Sequence, residues 1–178
     1  MRIFLSVILF LFTAFQSANA GGIPGALAGI LSTLNLEIQG KVIRVLDGDT
    51  IEIKTLPAKI VVYEVPIRVR LINIDAPEKK QPFGRWSTSQ LKTLVAGKQV
   101  TVSYSHKDRY GRIIGHVFTT NGTDASRFMV QSGAAWVYER YNEDESLPAL
   151  QREAQEQKRG LWADANPVPP WEWRYKHN

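Results

Sequence analysis

Short runs of alternating apolar residues set the strongest limit on what this chain can fold into. Val42, Ile43 and Val45 lie within Lys41 to Leu46, and Ile51 and Ile53 resume the alternation after Asp47-Gly48-Asp49-Thr50. A third stretch runs from Leu56 to Pro66 (Ile60, Val61, Val62, Tyr63, Val65) and on through Ile67, Val69 and Leu71. Val100, Val102 and Tyr104 form a fourth run, and Ile113 to Phe118 a fifth. Successive side chains of a strand point to opposite faces, so each run buries one face and must be covered. Gly, Asp and Pro punctuate the gaps, which calls for tight turns. The first three strands are expected to pair antiparallel.

Between and after these runs the period changes. Leu91, Leu94 and Val95 have helical spacing within Gly84 to Ala96, and Gly97 stops that helix. Asp124 is placed to cap a short helix through Ser132, with Phe128 and Met129 inward and Gly133 ending it. Ser146 to Arg159 is a third helix, with Pro148 in its first turn, Leu150 and Ala154 on one face, and Gly160 as its stop. The predicted class is α+β: a five-stranded OB-type β-barrel with three packed α-helices. Periodicity alone leaves other small α+β domains open.

The ends of the chain differ in composition from its middle. Arg2, the apolar run Ile3 to Phe15 and Ala18-Asn19-Ala20 make residues 1–20 a secretory signal peptide cleaved after Ala20. Its apolar core is shorter than the about 20 residues of a spanning helix, so no membrane anchor is expected after cleavage. The destination is secreted or periplasmic. Residues 21–40 form a leader in which Ala26 to Leu36 is weakly apolar; a flexible segment and a short helix both remain open. Residues 41–164 are the expected domain, acting as a monomer. Residues 165–178, rich in Pro and Trp, are expected to be a stiff extended tail, whose tryptophans either stack on bases or cover an apolar flank.

With no cysteine among 178 residues, an exported chain has neither disulfides nor thiolate chemistry. His106, His116 and His177 have no zinc spacing. Any metal is therefore expected to be held by oxygen. Net charge is +5, to which the first twenty residues contribute only Arg2, and the pI is near 9.5. Such a balance suits a nucleic-acid partner, although inert secreted proteins share it.

Against that basic background stand four carboxylates in two turns. Pro77 stiffens Asp75-Ala76-Pro77-Glu78 at the end of the third run, and Asp47 and Asp49 flank Gly48. Carboxylates about 5 Å apart repel by roughly 3 kcal/mol at an effective dielectric near 20, which favours a raised pKa or a bound cation. Each turn taken alone is equally explained as ordinary turn chemistry. His106-Lys107-Asp108-Arg109-Tyr110-Gly111-Arg112 adds a basic turn with an aromatic inside it.

Taken in order, Asp47-Gly48-Asp49-Thr50, Arg70 with Asp75-Ala76-Pro77-Glu78, Asp108-Arg109-Tyr110-Gly111-Arg112 and Gln131-Ser132-Gly133-Ala134-Ala135 resemble the staphylococcal nuclease family from about Lys41 to Trp162. The resemblance implies an exported calcium-dependent enzyme that hydrolyses phosphodiesters of DNA and RNA. It also implies that Asp49, Asp75 and the Ala76 carbonyl hold one calcium ion, that Glu78 is the general base, and that Arg70 and Arg112 are the catalytic arginines. Tyr110 and Tyr141 would line the nucleotide pocket, with Arg109 beside Tyr110 as a further substrate contact. Two departures stand out. Ala76 replaces a threonine of the staphylococcal enzyme, and Glu139 falls near a position that is tyrosine there.

The residue chemistry agrees with that expectation. Hard divalent cations take carboxylate and carbonyl oxygens, and calcium tolerates an irregular, partly hydrated set; magnesium uses the same donors. Guanidinium forks match phosphoryl oxygens bidentately, but their pKa is too high for Arg112 to serve as a leaving-group acid. Single-stranded DNA and RNA are the expected partners. The alternative is a catalytically silent single-stranded nucleic-acid binding OB module. Such a module has no need of Asp49, Asp75 and Glu78, which repel a phosphate backbone unless a metal is present. A structural or adhesion domain predicts none of these motifs.

Overall fold

The computed structural model describes residues 36–55 and 66–177. The expected signal peptide, and the Ala26 to Leu36 patch except for Leu36 itself, lie outside them, as do residues 56–65 of the third apolar stretch. Five strands close a barrel in the order β1-β2-β3-β6-β5: β1 Leu36–Val45, β2 Thr50–Thr55, β3 Ile67–Leu71, β5 Gln99–Lys107 and β6 Ile113–Thr119. The β1–β2 and β2–β3 pairs are antiparallel, as the alternation predicts. Closure comes from β3 running parallel to β6, with Val69 opposite Ile113 and Arg70 opposite Ile114. A second sheet of two residues per strand pairs β4 (Ile74–Asp75) with β7 (Trp136–Val137).

Strand β1 starts at Leu36, five residues ahead of the expected Lys41, because Leu36 to Lys41 pair with β5. Its apolar residues do not all face inward. A register shift between Val42 and Arg44 puts both Val42 and Val45 in the core and leaves Ile43 49% exposed. An inserted residue of this kind reverses the strand's facing beyond it.

The barrel is filled by Ile51, Ile53, Val69, Leu71, Val102, Ile113 and Val117. It is capped by α1 (Gly84–Val95), which buries Leu91 and Val95, and by α2 (Ala125–Gln131), which buries Met129 and Val130. Asp124 caps α2 as expected, its carboxylate accepting from the Arg127 amide. Helix α3 (Leu147–Glu156) packs Leu147 and Ala154 inward, but Ser146 at its N-cap makes no side-chain cap bond. Asp144 instead accepts from the Ser146 amide at 2.9 Å.

The tail corrects one expectation. Among the described residues Pro170–His177 is a fourth α-helix, α4, where an extended segment was predicted. Pro170 sits in its first position, where a missing N–H costs nothing, and the Pro169 carbonyl accepts from the Glu172 and Trp173 amides. Eight residues are too few to hold a helix unaided, so α4 depends on what it docks against. Trp171 stacks on Tyr138 at 5.6 Å and 10°, and meets Trp136 edge-on at 5.8 Å. The tryptophan therefore covers a flank of the domain. Among the described residues no helix is long and apolar enough to cross a membrane.

Candidate active site

The barrel end where β2 begins and β3 finishes gathers the acidic turns. Gly48 is required there by space. A Cβ on it would stand 2.0 Å from Ser87 Oγ of α1 and 2.7 Å from the Ala76 Cβ. That close approach lays the Asp47-Gly48-Asp49 turn against the Asp75-to-Glu78 turn. Asp49, 7% exposed, then joins the two. Its Oδ2 accepts from the Ala76 amide at 2.9 Å and pairs with Arg70 Nη1 at 3.0 Å, while Oδ1 accepts from the Thr50 hydroxyl at 2.9 Å.

Strand β3 delivers Arg70 to the same place. After Leu71 the chain turns at Asn73, whose φ is 69°, a conformation that asparagine tolerates better than most residues. The turn is fixed on both sides, the Asn73 carbonyl accepting from Tyr138 N and its side chain from Glu143 N. Asp75 follows in β4 and is 1% exposed. Arg70 Nη2 donates to Asp75 Oδ1 at 2.9 Å, and Nη1 donates to the Ile74 carbonyl at 3.2 Å. Two of the five guanidinium N–H donors are thus hydrogen-bonded within the cluster, and Nη1 also forms the ion pair with Asp49.

Glu78 stands at the rim, its side chain 42% exposed. Gln81 holds the turn behind it: the Gln81 side-chain oxygen accepts from Glu78 N at 3.0 Å, and the Glu78 carbonyl accepts from Gln81 N at 2.8 Å. Gly84 opens α1 so close that a Cβ there would lie 1.8 Å from the Glu78 carbonyl oxygen.

A residue that the sequence reading left out of the site lies inside it. Arg174 of α4 donates to Asp75 Oδ2 at 2.6 Å, to Asp75 Oδ1 at 3.2 Å and to Glu78 Oε1 at 2.8 Å. The available signal was the i,i+3 spacing of Trp171 and Arg174 after a helix-starting proline, which puts the docking aromatic and the guanidinium on one face. Gln81 also reaches the tail, donating to the Val168 carbonyl at 2.6 Å.

Electrostatics follow from this crowding. Burial, then the Asp49 charge, pushes Asp47 up to about 7. Burial raises Asp75 as well, opposed by its hydrogen bonds from Arg174. For Arg70 and Arg174 burial works against the charge but is outweighed by the carboxylates, so both are held more firmly cationic than usual. The expected conflict between neighbouring carboxylates is thus met by two arginines and by a displaced Asp47 pKa.

Of the remaining predicted residues, Arg109, Tyr110 and Arg112 lie in the β5–β6 turn. Asp108 accepts from the Tyr110 and Arg112 amides and from Arg112 Nε, the last at 2.8 Å. Tyr110 is 68% exposed, with Arg109 Nη2 donating to its hydroxyl at 2.7 Å. Among the described residues the ion pair of Arg112 is with Asp108 and not with the acidic cluster. Tyr141, 57% exposed, lies elsewhere, 5.0 Å edge-on from Tyr138. Tyr138 therefore joins Tyr141 to α4 through Trp171, a link not foreseen from the sequence.

Comparison with known proteins bears on this arrangement. Residues 68–164 match the family model described as staphylococcal nuclease homologue. An uncharacterized endonuclease of Escherichia coli is 59% identical over 140 residues, covering 79% of this chain and 87% of the relative. A micrococcal nuclease of Shigella flexneri is 38% identical over 148 residues, covering 78% and 81%. A staphylococcal-like nuclease of Arabidopsis thaliana, CAN1, is 40% identical over 107 residues, covering 60% of this chain and 33% of the relative.

Proposed function

This chain belongs to the staphylococcal nuclease family, and from that premise we propose that it is an exported nuclease hydrolysing phosphodiester bonds of DNA and RNA, with calcium held at the Asp49–Asp75 cluster. The observation that carries the reading is the meeting of Asp49, Arg70, Asp75 and Glu78 at one end of the barrel. A binding module gains nothing from burying carboxylates beside its phosphate-binding surface.

The donor set fits a hard divalent cation. Asp49 and Asp75 with the Ala76 carbonyl would hold it, all oxygen donors in a pocket of excess negative charge. Among the described residues no three His, Cys, Asp or Glu side chains form a set that could hold an ion, so waters and substrate oxygens would complete the shell, which calcium accepts. Bound there, the ion would offset the carboxylates and polarise a phosphate oxygen.

The chain's own groups do the rest. Glu78, at the solvent rim, takes the proton of the attacking water, an effect usually worth about 10² to 10⁴ in rate. Arg70 keeps Nε and one Nη2 hydrogen outside its carboxylate contacts, and Arg112, bonded to Asp108 through Nε, keeps its Nη pair. These N–H groups stabilise charge building on the phosphoryl oxygens. Tyr110, Arg109 and Tyr141 contact bases, which favours single strands because stacking needs unpaired bases. The composition of residues 1–20 supports export, and a monomer suffices for this chemistry.

The test is release of acid-soluble nucleotides from single-stranded DNA, first with calcium and then with excess chelator. Calcium-dependent release is expected. DNA retained without hydrolysis in both conditions would establish the binding module instead.

A further inference from the structure

Helix α4 carries a positive charge into the place where the cation is expected. Arg174 takes both oxygens of Asp75 and one of Glu78, and Arg70 shares Asp75 Oδ1. Asp75 is 1% exposed, so its lone pairs have no solvent reserve. Three of the about four acceptor sites of Asp75 are taken, two of them by Arg174, so a cation that ligates Asp75 competes with that guanidinium. Formal charge points the same way. Asp47, Asp49, Asp75 and Glu78 face Arg70 and Arg174, so one guanidinium already meets part of the negative charge that a divalent ion would neutralise.

The contact is built into the fold and is not a stray surface pair. Trp171 seats α4 on Tyr138 and Trp136, and Gln81, which also holds the Glu78 amide, grips the tail at Val168. Pro170 is buried beneath it. The turn that bears Glu78 and the segment that bears Arg174 therefore share one clamp.

We propose that Arg174 is an intramolecular counter-ion of the active site, which occupies Asp75 and Glu78 when no divalent cation is present and sets how tightly the cation binds. The inference rests on Asp75 being a cation ligand. Arg174 lies beyond the matched family segment of residues 68–164, as Asp49 does. Arg174 is a positioning residue: it holds the two carboxylates oriented until calcium and substrate take over their oxygens.

The experiment is calorimetric titration of calcium chloride into the full chain and into Arg174→Gln, Arg174→Lys and Trp171→Ala. Arg174→Gln should bind calcium about tenfold more tightly, the scale of one competing charge-assisted hydrogen bond. Arg174→Lys should fall between the two, because a point charge replaces the fork. Trp171→Ala, which unseats the helix without touching a carboxylate, should shift affinity in the same direction and keeps the test alive if Arg174→Gln fails to fold. In chelator, Arg174→Gln should melt below the wild type, and calcium should narrow that gap because the ion then serves the same carboxylates. Calcium affinity that is unchanged or weaker in Arg174→Gln and Trp171→Ala would overturn the counter-ion role while leaving the cation site standing. Absence of calcium binding in all four proteins at millimolar ion would overturn the site itself and this inference with it.

Discussion

The acidic cluster at the barrel end and the basic β5–β6 turn both hold arginine–aspartate pairs, yet they treat the same chemistry in opposite ways. In the cluster, burial raises Asp47 and Asp75, and the contacts span the chain, from Asp49 to Ala76 and from Asp75 to Arg174. In the turn, burial opposes the shift of Asp108, but its bonds with Arg112 and the Tyr110 amide win and lower its pKa. All those bonds fall within five residues. One region is charged under compulsion from the fold. The other is a local, exposed device that the fold merely presents. Under the proposed function the cluster carries the cation ligands and the base, while the turn brings Arg112 to the phosphate and Arg109 and Tyr110 to the bases.

The largest test of that contrast is to remove the Arg70 charge, which pairs with both Asp49 and Asp75. Arg70→Gln leaves Asp49 and Asp75 buried without it, and should cost about 3 to 5 kcal/mol of stability, read by urea denaturation. A loss as small as that of an exposed pair would mean that the cluster is solvated like the turn. Gly84→Ala comes next. Its Cβ would meet the Glu78 carbonyl, so about 1 to 3 kcal/mol of overpacking is expected, together with slower cleavage as Glu78 moves. Wild-type cleavage in a stable Gly84→Ala protein would show that the position of Glu78 is not critical.

Tyr110→Ala should weaken binding of single-stranded DNA by about 1 to 3 kcal/mol, the worth of one stacked base, with little change in stability because the ring is exposed. Undiminished affinity would remove Tyr110 from the substrate surface.

The smallest effects are in pH dependence, where the two regions should differ in sign. Asp47 titrates higher folded than unfolded, so its favourable contribution is complete below the ordinary value of 3.8 and fades as pH rises toward about 7. Asp47→Asn should flatten that decline in melting temperature. Asp108 titrates lower folded than unfolded, so its contribution is present above 3.8 and is lost as pH falls through its folded value. Asp108→Asn should flatten the acid limb instead. The same pH profile for both variants would erase the distinction.

That distinction also explains what could be read from the sequence. The β5–β6 turn was legible because Asp108, Tyr110, Gly111 and Arg112 make their contacts within one turn, and the strands were legible because alternation reports burial, though alternation alone left other small α+β domains open beside the barrel. Asp49, Asp75 and Glu78 were named through resemblance, since Asp-Gly-Asp and Asp-Ala-Pro-Glu are each also ordinary turns. The surface on which Arg174 docks was out of reach for a physical reason. The partner of Arg174, Asp75, is 99 residues away, and nothing in Trp-Glu-Trp-Arg states which surface its helix will meet. The prolines suggested an extended tail because their use at a helix start depends on docking that lies outside the local sequence. The bulge in β1 was hidden for a similar reason, being set by pairing with β2.

The most direct measurement of the central claim sets Glu78→Gln beside Tyr110→Ala, with single-turnover cleavage and DNA affinity measured on each in calcium. Glu78→Gln is expected to bind DNA nearly as well as the wild type and to cleave about 10² to 10⁴ times more slowly, whereas Tyr110→Ala binds weakly and cleaves bound DNA at close to the normal rate. If Glu78→Gln cleaved normally, or if both variants lost binding and cleavage together, chemistry would not reside in the buried cluster and the division between the two regions would be wrong.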